Sequence, residues 1–439
     1  MVLIILGAWV SFIIPAFYKR IQAKNIKNIL QKGPIIIAMN HPNAFTDPTV
    51  INFLTFPMRL KYLARGDAFK PGIVSWLLEK IGIVPIFRIQ DAGKEGLKKN
   101  DESYKRVNEL LKQNNKIIVF AEGLCIQERR LRPLKKGVSR MVFGAYNYLK
   151  SDTLRVVPIG INYSNPGKFR STVFYNVGEP IFVKDFINDN NLSDARAYNT
   201  FLQVLEPKMK ALITHINTKE YDSVVFNIET LNKKDMLREQ NLNYKNLEHD
   251  FLVTKQITEK VNTAEITNKK VLDEFKTKSE VYFNSLKKHK LKDWLINTKQ
   301  NKTVTPFYLV LRLLVLITTL PIYAIGMLGN YLPFKLTGVI TKKIVKNKLE
   351  FYSSVIIATS MILFLVNYLL WFFISYAFSP NIFYPIGICL ALALSAWFSL
   401  YYHPLLLKTL GIIRILKNKT LKNRLLQLRN ELQILLTNL

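Results

Sequence analysis

His41 and Asp47 are the first residues in this chain whose types and spacing invite chemistry. They stand in the stretch IIIAMNHPNAFTDPTVI, residues 35–51, where an apolar run ends in Asn40-His41 and Asp47-Pro48 follows after Pro42 to Thr46. Imidazole titrates near neutrality, so it can take a proton from a hydroxyl at working pH. A carboxylate on its other ring nitrogen fixes the tautomer and stabilises the imidazolium. Asp followed by Pro also suits a helix start, with Asp47 as N-cap and Pro48 at the first helical position. The two readings are compatible, because a capping carboxylate is held in place.

Other candidates follow further along the chain. Arg88 closes the apolar run VPIFR, and Glu122-Gly123 close KIIVFAEG. Arg129, Arg130, Arg132, Lys135 and Lys136 form a cationic cluster. Cations suit phosphate, Arg through its bidentate fork, although such a run also reads as a solvated face. Cys125 reads as a small buried residue. The chain has no G-x-S-x-G elbow, no G-x-x-x-x-G-K-[ST] loop and no G-x-G-x-x-G. A His base without an evident protein nucleophile implies direct attack by a substrate hydroxyl. The histidines at 41, 215, 249, 289 and 403 never pair at i, i+4, so no metal is expected.

The elements around these residues have an α/β rhythm. Strand candidates over residues 33–215 are IIIAMN, LKYLAR, VPIFR, KIIVFAEG, LRVVPIGINY and TVFYNVGEPI. Between them lie helical periods such as GIVSWLLEKIG and KKGVSRMVFGAYNYLK. That alternation predicts an α/β domain. In such sheets ligands gather beyond the carboxyl ends of the strands, which is where His41, Arg88 and Glu122 fall.

Composition adds the membrane. The chain has 439 residues, 49 % hydrophobic and 12 % aromatic, yet carries 62 Lys+Arg against 31 Asp+Glu. The division predicted is an N-terminal membrane-associated helix over 1–30, a catalytic domain over 31–218 and a helical connector over 219–304. A transmembrane region over 305–404 and a basic amphipathic tail over 405–439 complete it. Apolar stretches at 307–333, 351–378 and 382–402 each reach the roughly 20 residues that a bilayer crossing needs. Lys335, Lys342, Lys343, Lys346 and Lys348 follow the first stretch, and the tail from Lys408 is basic. Lys-rich loops stay cytoplasmic, so the last two stretches predict a hairpin with its turn outside and a cytoplasmic catalytic domain. Pro321, Gly326 and Gly329 make the first stretch suited to re-entry. The net charge of +31 is spread through membrane-flanking segments without a nucleic-acid signature, so no nucleic-acid partner is expected. The two cysteines, Cys125 and Cys389, imply no disulfide framework.

The stretches NHPNAFTDP, VPIFR, FAEG with LRPLKKGVSRM, and VPIGINY with GKFRS resemble the four ordered blocks of the glycerophospholipid acyltransferase family. Together they cover roughly residues 33–185. The resemblance implies a glycerol-phosphate acyltransferase-type αβ domain. It also implies an acyl-CoA or acyl carrier protein donor, no cofactor, and glycerol 3-phosphate or its 1-acyl derivative as acceptor. His41 is then the catalytic base and Asp47 its orienter, and Glu122 and Gly123 hold the acceptor. The phosphate argument adds Arg88. Five residues separate His41 from Asp47 where the usual block has four, which is similar to the branch with fungal glycerol-3-phosphate/dihydroxyacetone-phosphate acyltransferases. That branch also shares Phe169-Arg170-Ser171. Leu124 and Cys125 depart from the usual residues after Glu-Gly. The rival expectation is an inert membrane-anchored lipid-binding or scaffold protein.

Overall fold

An apolar run that opens with β-branched residues and has no polar face belongs inside a sheet, and Ile35–Met39 is such a run. In the computed structural model, which describes residues 13–58, 60–66, 69, 72–87, 89–190, 194–297 and 306–439, it is strand β2. All five of its residues are buried. Successive side chains point to opposite faces, so the sheet is covered on both. The other strands are β1 (Arg20–Lys24), β3 (Lys61–Arg65), β4 (Ile83–Ile86), β5 (Lys116–Phe120), β6 (Arg155–Tyr163), β7 (Thr172–Val177) and β8 (Ile181–Phe182).

The sheet order is β1-β7-β6-β2-β5-β3-β4, with β8 also on β6. Strands β2 to β6 run parallel to one another, whereas β7 and β8 are antiparallel to β6. Connections through helices Thr46–Thr55, Ile73–Ile81, Ile89–Lys112 and Lys136–Leu149 account for the parallel strands. On one face, Ile36, Ala38, Ile117, Val119 and Val156 join Val107, Val138, Val142 and Phe201 in a single apolar core. The consequence for function is registry. Met39 lies opposite both Phe120 and Ile159, so the loops after β2, β5 and β6 open at one edge of the sheet.

The structure corrects four expectations. Residues 1–12 of the predicted N-terminal helix lie outside the described residues, and helix occupies 13–17. Arg20–Lys24 is a strand, paired in parallel with β7. Its polar side chains hold residues 244–248: Arg20 donates to the Tyr244 carbonyl (3.0 Å), Gln22 bonds Asn246 (2.8 Å), and Lys24 pairs with Glu248 (2.7 Å). RIQAK is too polar for a membrane helix, but it suits a flanking strand whose partners are polar.

Second, the chain forms two compact units, one of Met1–Asn217, Asn241–Lys255 and Asn347–Ser354, the other of Thr218–Gln240, Gln256–Lys346 and Val355–Leu439. Part of the predicted connector therefore belongs with the sheet. Third, the predicted tail boundary falls inside a helix, Phe383–Lys417, and Lys419–Asn438 forms the last one. Within the second unit that last helix is locked by Arg429, whose guanidinium pairs with Asp293 (3.0 Å) and donates to the Leu231 carbonyl (2.9 Å). The fourth correction, at Asp47, concerns the site.

Among the described residues, two helices, Leu349–Phe378 and Phe383–Lys417, are long and apolar enough to cross a membrane, with mean hydropathies of 2.2 and 1.8. The stretch at 307–333, whose Pro321, Gly326 and Gly329 suit re-entry, lies in a pair of helices, Phe307–Thr318 and Leu320–Val345, bent by 52° at the break. It counts as a third span only if the bent pair is one crossing.

Candidate active site

The β2–helix loop is built around the carboxylate of Asp47. The helix runs Thr46–Thr55 with Phe45 at its N-cap, so Asp47 sits in the first turn and its side chain makes no cap bond. The expected capping role is thus corrected: the carboxylate faces the loop rather than the helix amides. Its Oδ2 lies 2.9 Å from His41 Nδ1 and accepts the Asn43 backbone N–H at 2.8 Å. Its Oδ1 accepts the Tyr163 hydroxyl at 2.7 Å. Asp47 has no exposed side-chain surface, whereas His41 keeps 17 %. A charge buried this fully needs such partners, and three donors supply them.

The carboxylate is an acceptor only, so the proton between it and His41 resides on Nδ1, and Nε2 carries the lone pair. Phe120, the last residue of β5, stacks on the imidazole with centroids 3.6 Å apart and planes 15° apart. Orientation of the ring is therefore set both edge-on and face-on. The Tyr175 hydroxyl donates to the Asp47 carbonyl at 2.8 Å, fixing the backbone beneath the carboxylate.

Glu122 reaches the same loop from β5. Its Oε1 accepts the His41 backbone N–H (3.3 Å) and its Oε2 accepts the Arg132 N–H (3.1 Å). Burial pushes its carboxyl up to about 7, against the pull of those two amides towards the ionised form. Gly123 makes the turn that presents it, with φ +64° and an N–H donated to the Phe120 carbonyl at 3.0 Å. A Cβ there would stand 3.0 Å from Lys135 Cγ in a backbone region that L side chains rarely adopt.

The structure thus brings His41, Asp47 and Glu122 together, with Gly123 adjoining. Arg88 lies outside the described residues. Within the cationic cluster, Glu128 pairs with Arg130 (3.5 Å) and Arg132 (3.0 Å), and Arg129 donates to the Ser164 carbonyl (3.3 Å). Those three cations serve the fold of the loop. Cys125 does the same: its Sγ accepts the Ala44 N–H at 3.0 Å, and burial pushes the thiol far above its usual range.

Sequence reasoning passed over four members of this site: Asn43, Phe120, Tyr163 and Tyr175. Tyr163 offered a signal, since it ends β6 as a polar residue after an apolar run, the position that His41 holds after β2. Asn40 extends the sheet. Its carboxamide accepts the Ile161 N–H (2.7 Å) and donates to the Ile161 carbonyl (3.2 Å), continuing the β2–β6 ladder by one side chain. Pro158 sits within β6 opposite Ala38.

The sequence profile of the Acyltransferase family matches residues 20–162, which include β1 to β5, His41, Asp47 and Glu122. Curated relatives have related activities. The chain is 41 % identical over 78 residues to glycerol-3-phosphate O-acyltransferase 1 of Saccharomyces cerevisiae, covering 18 % of this chain and 10 % of that one. It is 26 % identical over 152 residues to the chloroplastic 1-acyl-sn-glycerol-3-phosphate acyltransferase BAT2 of Brassica napus, covering 34 % and 39 %. Over residues 20–162 the chain is thus similar to acyltransferases that act in glycerophospholipid chemistry. The aligned stretches span well under half the length of these relatives. Among solved structures, the chain is similar to the 1-acyl-sn-glycerophosphate acyltransferase PlsC of Thermotoga maritima. That likeness has a TM-score of 0.33 and 18 % identity, over 47 % of this chain and 78 % of that one.

Proposed function

We propose that the protein is a membrane-bound O-acyltransferase in phospholipid synthesis. It moves a fatty acyl group from a thioester, acyl-CoA or acyl carrier protein, to glycerol 3-phosphate or 1-acylglycerol 3-phosphate. The observation that carries this reading is the 2.9 Å contact between buried Asp47 and partly exposed His41. It leaves Nε2 as the proton-accepting atom at the carboxyl edge of the sheet. His41 takes the acceptor's hydroxyl proton, the alkoxide oxygen bonds to the acyl carbon, and the carbon–sulfur bond breaks. The departing thiolate recovers the proton from the imidazolium, so no acyl-enzyme forms and the steps require no metal. Asp47 stabilises the imidazolium while its charge exists.

Arg88 is assigned to the acceptor's phosphate by the chemistry of guanidinium, and Glu122 with Gly123 to the acceptor loop. Glu122 serves by holding the His41 backbone, as its two amide contacts support. The spanning helices support membrane residence, and the Lys-rich flanks favour a cytoplasmic catalytic unit. The test is purified full-length protein with labelled acyl-CoA or acyl carrier protein and glycerol, glycerol 3-phosphate, dihydroxyacetone phosphate and lysophosphatidate as acceptors. Transfer to a phosphorylated acceptor, lost in His41→Ala, is the expected result. Vesicle binding without transfer to any acceptor supports the inert scaffold instead.

A further inference from the structure

The apolar helix Tyr352–Phe378 starts as a part of the catalytic unit, to which residues Asn347–Ser354 belong. Its first turn touches the loop that carries the dyad. Ser354 Oγ lies 3.0 Å from Thr46 Oγ1, and Thr46 precedes Asp47. Ser353, fully buried, donates to the Pro166 carbonyl. The same carbonyl accepts Asn43 Nδ2 at 3.3 Å, and Asn43 N–H holds Asp47 Oδ2. Just before the turn, the Phe351 ring lies 6.4 Å from that of Phe45. Two short routes therefore run from adjacent serines to one buried carboxylate.

Beyond Ser354 the helix is of a different kind. Its most apolar eighteen-residue window has no residue buried inside the protein, as a lipid-facing segment requires. Val355 follows Ser354 directly, so the two serines stand at the start of the apolar stretch.

We propose that Ser353 and Ser354 are positioning residues, which couple the seating of this spanning helix in the bilayer to the geometry of the His41–Asp47 pair. A helix that shifts with bilayer thickness pulls on Thr46 and on the Pro166 carbonyl, and through them on the carboxylate that orients the base. Both routes end at Asp47, which orients the base, so the effect falls on kcat.

The kinetic part rests on the acyl-transfer reading, and hydrogen exchange does not. Full-length protein is placed in phosphatidylcholine vesicles of graded acyl-chain length, as wild type, Ser353→Ala/Ser354→Ala, Ser354→Thr and Thr46→Val. Wild-type kcat should vary with chain length. The double variant should lose roughly ten- to a hundred-fold in kcat at unchanged KM, lose the chain-length dependence, and exchange amide hydrogens of residues 42–48 faster. Ser354→Thr keeps the hydroxyl and should behave as wild type. Thr46→Val breaks the Ser354 contact from the loop side, and decides the matter if the double variant does not fold. Wild-type kcat and wild-type exchange in the serine and Thr46 variants together overturn the coupling. An inactive wild type overturns the acyl-transfer reading instead, and exchange in residues 42–48 then decides the coupling by itself.

Discussion

Tyr163 donates its hydroxyl to Asp47 Oδ1 at 2.7 Å, on the oxygen that His41 does not use. The two residues are 116 positions apart, joined because β6 lies beside β2. Burial pushes the Tyr163 phenol well above its usual range, so it remains a donor at any working pH. Tyr163→Phe removes that donor and leaves Oδ1 facing a ring edge. A hydrogen bond to a charged group is worth about 1.5–3 kcal/mol. We expect a stability loss of that size in denaturant titration, together with a lower kcat. Full stability and full turnover in Tyr163→Phe would show that two donors suffice for Asp47.

His41→Ala should abolish transfer while the protein stays folded and membrane-bound, because general-base catalysis contributes ~10²–10⁴-fold. Asp47→Asn should lose nearly as much. An amide presents one acceptor oxygen and one NH₂ where three donors converge, so at least one donor is left against a donor. A steady-state assay at saturating substrate reads both, and more than a tenth of wild-type turnover in either variant would remove the dyad from the mechanism.

Glu122 predicts a pH dependence of stability. Its folded value of about 7 lies above the ordinary carboxylate value of 4.5, so the folded state holds the proton more tightly than the unfolded chain does. The contribution is fully present below about 4.5 and is lost as pH rises through about 7, an effect of about 3 kcal/mol for a shift of this kind. Thermal unfolding of wild type against Glu122→Gln across this window should show the difference shrink or reverse at the upper end. A pH-independent difference would mean that the two amide donors keep Glu122 ionised throughout.

Cys125→Ser should retain most activity, since the thiol accepts a backbone N–H and is held protonated by burial. Mass spectrometry after single turnover should find no acyl group on Cys125. An acylated Cys125 peptide would replace direct attack with a covalent mechanism.

Arg88→Ala should raise the acceptor KM and leave the donor KM near its wild-type value. Loss of a bond to a charged group costs about 1.5–3 kcal/mol, or roughly ten- to a hundred-fold in kcat/KM. Lys should rescue only in part, since it keeps the charge without the fork. Equal losses on glycerol and glycerol 3-phosphate would take Arg88 out of the phosphate site.

The amino-acid sequence by itself determined the elements. Ile35–Met39, Lys116–Phe120 and Arg155–Tyr163 are strands because the apolar stretch within each has no polar face and belongs inside a covered sheet. Apolar stretches after residue 305 are helices because their length and composition permit little else. His41 at a strand end and Asp47 six residues later were legible for the same local reason. Tertiary structure decided what local pattern does not encode. Asp47-Pro48 has the signature of a cap, yet the carboxylate turns to the loop because His41, Asn43 and Tyr163 offer it three donors, while the Thr46, Asp47 and Thr49 amides already donate to backbone carbonyls. RIQAK has no apolar face to announce a strand, and it becomes one through backbone pairing with β7 and polar contacts to residues 244–248. Strand order brings Tyr163 and Phe120 to the dyad, and strand order follows from how distant runs pack, which no single window of sequence contains.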